Sequence, residues 1–232
     1  MFPLFWDPTM IILIPAIILS LWAQSKVQST FQRYLRVPSA SRLTGAAVAR
    51  QLLDRSGVDD VKVEMTPGHL SDHYDPRSKT LRLSPQVYQS SSLAALGVAA
   101  HETGHAIQHE SGYFPLEFRN SFVPVAQIGS NLAFPLLIIG LIFAMPVLAK
   151  VGVYLFTAVV LFQLITLPVE YNASNRAIAL LEGYGYITRE EVGPTRRVLS
   201  AAALTYVAAA LTAVLTLVRL LILSGMLGNR DE

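Results

Sequence analysis

The sequence predicts a mainly α-helical integral membrane protein with about four transmembrane helices and a polar α+β region after the first. Three observations carry this. The 232 residues are 52% apolar, and the mean hydropathy of +0.44 is high for a soluble domain. The apolar residues gather in four long runs with few charges. Lys and Arg are spread through the segments between those runs. The net charge of +2 gives no basis for a nucleic-acid partner. With no cysteine there is neither a disulfide framework nor a thiolate site, so a metal would need His, Asp or Glu ligands.

The first run, Pro8 to Ala23, is flanked by Trp6 and Trp22, which suit the two interfaces of a bilayer. No Lys or Arg precedes it and no small-residue cleavage site follows. A retained anchor over residues 1–24 is therefore expected rather than a cleaved signal peptide. Residues 25–122 form the polar region. Within it SRLTGAAVARQLLDRSG reads as an amphipathic helix, with Thr44 as N-cap and Gly57 as its stop. VKVEM (61–65) and TLRLS (80–84) alternate like strands. The turn-rich TPGHLSDHYDPRSK lies between them. A helix is expected from Leu93 to Glu110, ending at Ser111-Gly112.

Residues 123–168 read as a transmembrane hairpin. Its spans, Val123 to Ala149 and Val151 to Pro168, are separated by Lys150. Residues 169–197 are polar again. A helix opens at Glu170 and breaks at Gly183, and a capping box runs from Thr188 to Glu191. The last span and tail occupy residues 198–232, with Arg219 placed to snorkel. Lys26, Arg33 and Arg36 follow the first span and nothing basic precedes it. The positive-inside rule then puts the N-terminus outside a plasma membrane and 15 of the 18 basic residues in the cytoplasm.

The stretch HETGHAIQH (101–109) carries the chemistry. His101-Glu102-Thr103-Gly104-His105 matches H-E-x-x-H. On a helix, positions i and i+4 lie about 40° apart, so both imidazoles point at one spot. That suits two ligands of a single catalytic Zn2+, with Glu102 placed to take a proton from water. His109 lies about 12 Å along the helix from His101, too far to share an ion. The longer motif with a third nearby His needs a Gly at 108 and a His at 111, and those positions hold Gln and Ser.

A third ligand must lie on the same membrane face. Glu170 does so after two crossings, and a carboxylate beneath apolar residues is costly without a partner. Its helical neighbours Ala173, Ser174 and Ala177 are small enough to admit the histidine helix. The alternative is an acid stabilised by a helix N-terminus.

HETGHAIQH, then LPVEYNASNRA and AAALTYVAAAL after two apolar runs, together with PGHLSDHYDPRSKTLRLSPQVY, resembles the bacterial neutral zinc metallopeptidases of the YugP-like membrane family. The resemblance covers nearly the whole chain. It implies a gluzincin-type zinc endopeptidase with a zincin-like catalytic region, His101, His105 and Glu170 on zinc, and Glu102 as base. Membrane proteases related to CAAX-processing enzymes are more distantly similar. Their third ligand lies in E-x-x-A-D, whereas this chain reads Glu170-Tyr-Asn-Ala-Ser174. Ser174 would accept an imidazole N–H, more weakly than a carboxylate.

Peptide hydrolysis by zinc-activated water follows as the expected reaction, with Glu102 passing the proton to the leaving amine. The oxyanion donor is open among His73, Tyr74, Arg176 and Tyr206. Segment 72–84 is either a plain hairpin or an edge that pairs with an extended substrate. Expected partners are the bilayer and a polypeptide substrate, including membrane proteins or juxtamembrane tails; oligomeric state is open. A non-proteolytic scaffold or chaperone with structural zinc is the alternative, disfavoured because structural sites are normally closed by four protein ligands. An intramembrane-cutting protease fits less well, since His109, Glu110 and Glu117 follow the motif.

Overall fold

The computed structural model describes residues 7–227; Trp6, expected at one interface, lies outside them. A short 3-10 helix (Pro8–Leu13) leads into α1 (Ile14–Leu35). There follow α2 (Gly45–Arg55), β1 (Lys62–Met65), β2 (His73–Asp75), β3 (Thr80–Leu83), α3 (Pro85–Gln89) and α4 (Leu93–Glu110). Three long helices complete the chain: α5 (Phe114–Ile142), α6 (Pro146–Gly183) and α7 (Arg189–Leu223). The 3-10 helix with α1, and each of α5, α6 and α7, is long and apolar enough to cross a membrane. Many of their apolar side chains are uncovered, such as Ile18 and Leu21 at 63% exposure, a surface suited to lipid rather than water.

The chain divides into two compact units. One comprises residues 1–22, 118–167 and 205–232. Its core joins Ala133, Leu137, Ala149, Val153 and Phe156 of α5 and α6 to Ala213 and Leu220 of α7. Glycines bring α5 and α6 together: a Cβ on Gly129 would sit 2.4 Å from the Leu155 carbonyl oxygen, and one on Gly152 2.6 Å from that of Ala133. Small residues at such crossings let backbones pack where no hydrophobic drive acts between helices. Arg219 donates to Asp7 Oδ2 (2.8 Å) and Thr9 Oγ1 (3.1 Å) and is mostly buried. The hairpin tip differs from expectation. The helices break at residues 143–145, where Ala144 adopts φ 51°, and Lys150 lies inside α6.

The second unit comprises residues 23–117 and 168–204. Thr44 caps α2 by accepting from the Ala47 N–H, and Gly57 leaves it at φ 70°. Ser92 caps α4 through the Ala95 N–H, and α4 ends at Ser111 and Gly112. The sheet has order β1-β3-β2, with β1 parallel and β2 antiparallel to central β3. Strand β2 arises inside the stretch read as turn-rich, with Tyr74 opposite Leu81. Hydrogen bonds from the Ser78 hydroxyl and Arg77 N–H hold the Asp75 carboxyl down to about 2 and tie the β2–β3 turn.

Leu81 and Leu83 pack with Ala49, Leu53, Ala95, Ala99 and Ala106 beneath α2 and α4. A second core joins Val48 and Leu52 to Leu96 and Ala100, and to Ala177, Ile178 and Leu181 of α6. Glu170 opens no helix. It lies inside the 38-residue α6, which passes through Pro168 unbroken, so an N-terminal dipole does not explain its carboxylate.

Candidate metal centre

Helix α4 presents His101 and His105 one turn apart, their ring centroids 4.7 Å apart and nearly perpendicular. Glu170 of α6 faces both. Its Oε2 lies 3.3 Å from His101 Nε2 and 3.5 Å from His105 Nε2. The carboxylate is almost fully buried and the imidazoles largely so. The close approach of the helices has a cause in sequence. A Cβ on Gly104 would sit 2.8 Å from the Ala173 carbonyl oxygen, and Ala173 and Ala177 are fully buried. The small residues expected to admit α4 do so, and Gly104 inside the motif is their counterpart.

Both imidazoles are held from behind. Gln108 Nε2 donates to the Val169 carbonyl (3.0 Å) and to Asn172 Oδ1 (2.9 Å). Its Oε1 therefore faces His105 Nδ1 at 2.9 Å and accepts a hydrogen there. That fixes the tautomer and leaves a lone pair on Nε2. Ser174 Oγ lies 3.1 Å from His101 Nδ1, the position considered for it from the sequence. Gln108, fully buried, was read in the sequence only as the residue that replaces a glycine. Its place one turn after His105 on the same helical face was the available signal.

The donor set fits a cation. Two imidazole Nε2 atoms face one carboxylate oxygen at 3.3 and 3.5 Å, an arrangement that a proton or metal ion between them satisfies. Ligands about 2.0–2.1 Å from a tetrahedral Zn2+ are about 3.3–3.4 Å apart, which these separations match. The three donor atoms lie within 4.8 Å of one another. Without a metal, burial disfavours the charged form of His105, but the Glu170 and Glu102 carboxylates outweigh it and raise its pKa above the ordinary value. Glu102 is partly buried beside His101, and no hydrogen bond or ion pair engages its carboxylate among the described residues.

The other residues considered have different surroundings. His109 Nδ1 bonds the Tyr74 hydroxyl (2.9 Å) rather than joining the cluster. Burial pushes that phenol up to about 12. His73 is exposed, with Nδ1 on the Ser71 carbonyl (2.8 Å). Arg176 donates to Asn172 Oδ1 (2.8 Å) and stacks over Tyr113, extending the Gln108 network. Tyr206 lies on α7 in the other compact unit.

Two histidines and one glutamate from two helices define a candidate mononuclear metal centre of the H-E-x-x-H…E class. The chain belongs to the family described as putative neutral zinc metallopeptidases, whose model matches residues 9–225. It is 46% identical over 219 residues to a protein of Bacillus subtilis (strain 168) described as putative membrane protease YugP; the match covers 94% of this chain and 96% of that one. No solved structure matches the chain at a significant level.

Proposed function

We propose that this chain is a membrane-embedded zinc-dependent endopeptidase, with His101, His105 and Glu170 as zinc ligands and Glu102 as general base. One observation carries the reading: three donor atoms from α4 and α6 converge within 4.8 Å, while Glu102, whose charge acts on His105, forms no hydrogen bond among the described residues. Zinc held there supplies Lewis acidity toward water and the scissile carbonyl. Gln108 and Ser174 hold the two imidazoles with Nε2 toward Glu170. Glu102 takes a proton from the attacking water and returns it to the leaving amine. Three protein ligands leave a position open, as catalytic rather than structural sites do. The edge of β2 away from β3 suits antiparallel pairing with an extended substrate, and the Tyr74–His109 bond ties that strand to α4.

The lysine and arginine bias supports a plasma-membrane protein with its N-terminus outside and the centre at the cytoplasmic face. Membrane proteins and their juxtamembrane tails are the proposed substrates. Zinc content and cleavage of casein or of the chain itself, measured in wild type and Glu102→Gln, test the reading. Retained zinc with lost cleavage supports it. Failure of both forms to cleave a panel of unfolded and membrane substrates would favour a scaffold with structural zinc.

A further inference from the structure

A cavity of about 480 Å³ opens between α1 and α7 within the second unit, lined by Lys26, Thr30, Arg33 and Tyr34 and by Arg196, Arg197, Ser200, Ala201 and Leu204. Lys26, Thr30 and Arg33 stand at i, i+4 and i+7, one face of α1. Gly193, Arg196, Arg197 and Ser200 occupy one face of α7 in the same way. No acid lines the cavity, and none of its four cations forms an ion pair among the described residues. Arg197 donates to the hydroxyl of buried Tyr34 (3.1 Å), so one guanidinium is oriented, and Thr30 and Ser200 add hydroxyls.

The four cations are exposed at the mouth of one concavity, and an anion that enters it is attracted by all of them. The level along the helices says which anion. On α1 the apolar run ends at Ala23, just before Lys26; on α7 it begins at Val198, just after Arg197. The cavity therefore falls where charged positions give way to apolar ones on both helices, with Ala201 and Leu204 on its apolar side. That is the depth of a phospholipid headgroup.

We propose that this cavity is a binding site for the phosphate headgroup of an anionic phospholipid. Arg33, Arg196 and Arg197 carry the phosphate by charge-assisted hydrogen bonds, and Lys26 adds a point charge. Arg196 and Ser200 also border the smaller cavity beside Ser174, so the test reads lipid binding and not cleavage.

The full chain is placed in nanodiscs of phosphatidylcholine with or without phosphatidylglycerol, and retained lipid is counted by native mass spectrometry. The expected result is preferential retention of phosphatidylglycerol. Arg33→Gln with Arg196→Gln should weaken it about thirty-fold, for two cations removed. Lys62→Gln with Arg77→Gln, which removes the same charge from exposed positions elsewhere, should leave it unchanged. Ser200→Phe keeps every charge, fills the cavity and should also abolish retention, which covers the case of a misfolded double variant. Equal retention of both lipids would overturn the proposal. So would equal loss in the two double variants, since that marks diffuse charge attraction. Displacement of phosphatidylglycerol by millimolar inorganic phosphate would make the ligand a free anion and overturn it as well.

Discussion

Gln108 Oε1 lies 2.9 Å from His105 Nδ1, and the direction of that amide is set by its other two bonds. One neutral side chain thereby decides which imidazole nitrogen keeps its lone pair. Gln108→Leu removes the acceptor and leaves the Val169 carbonyl and Asn172 without their donor. We expect metal affinity to fall about 10- to 100-fold, measured by competition with a zinc chelator. Unchanged affinity would mean that α4 alone orients His105.

Ser174 Oγ stands at the matching position for His101, 3.1 Å from its Nδ1. It also borders a cavity of about 200 Å³ that Arg196 helps to line, so a longer acid has both space and a cation nearby. Ser174→Ala should speed zinc loss to chelator roughly tenfold, and Ser174→Asp should slow it relative to wild type. The opposite order would show that the carboxylate turns away from the imidazole.

Gly104 is where the two ligand-bearing helices meet. Gly104→Ala favours α4 by helix propensity, about 1 kcal/mol in isolation. Yet the new Cβ would sit 2.8 Å from a backbone oxygen of α6, which has no rotamer to change. The variant should lose thermal stability and retain less zinc. A stabilised variant with full zinc would mean that α6 moves aside at no cost.

The Tyr74 hydroxyl meets His109, and its pKa near 12 keeps it protonated at any working pH. Tyr74→Phe should lose about 1 kcal/mol, a melting shift of roughly 2–4 °C for a chain of this size. Zinc content should stay the same. A fall in cleavage rate of a hundredfold or more without that shift would instead assign the phenol to the oxyanion.

Much of this was legible where residue chemistry acts locally. Thr44 caps the helix that it precedes, Gly57 leaves it, and Ser111-Gly112 ends α4, because such signals act within a turn. The grouping of His101 and His105 with Glu170 was legible because two long apolar runs separate the two polar stretches that carry them. The hairpin tip was not: Ala144 takes a left-handed conformation with no residue type to announce it, and Lys150 drew attention away. Pro168 suggested a helix end, but membrane helices tolerate proline when neighbours satisfy the freed backbone. Gln108 is visible in the sequence only as a departure from the longer motif, because the partners that aim its amide lie 61 and 64 residues away.

Those partners share one short stretch. The carbonyl of Val169, the carboxylate of Glu170, the amide of Asn172, the backbone of Ala173 and the hydroxyl of Ser174 all come from six consecutive residues of α6. During translation, a nascent chain that has passed Gln108 holds two imidazoles, with neither their carboxylate nor the α6 groups that anchor Gln108 and face His101. The ribosome must add another 61 residues after Gln108 to reach Val169, and Glu170 follows next, before the centre can close. A donor set built this way stays incomplete through most of the chain's own synthesis.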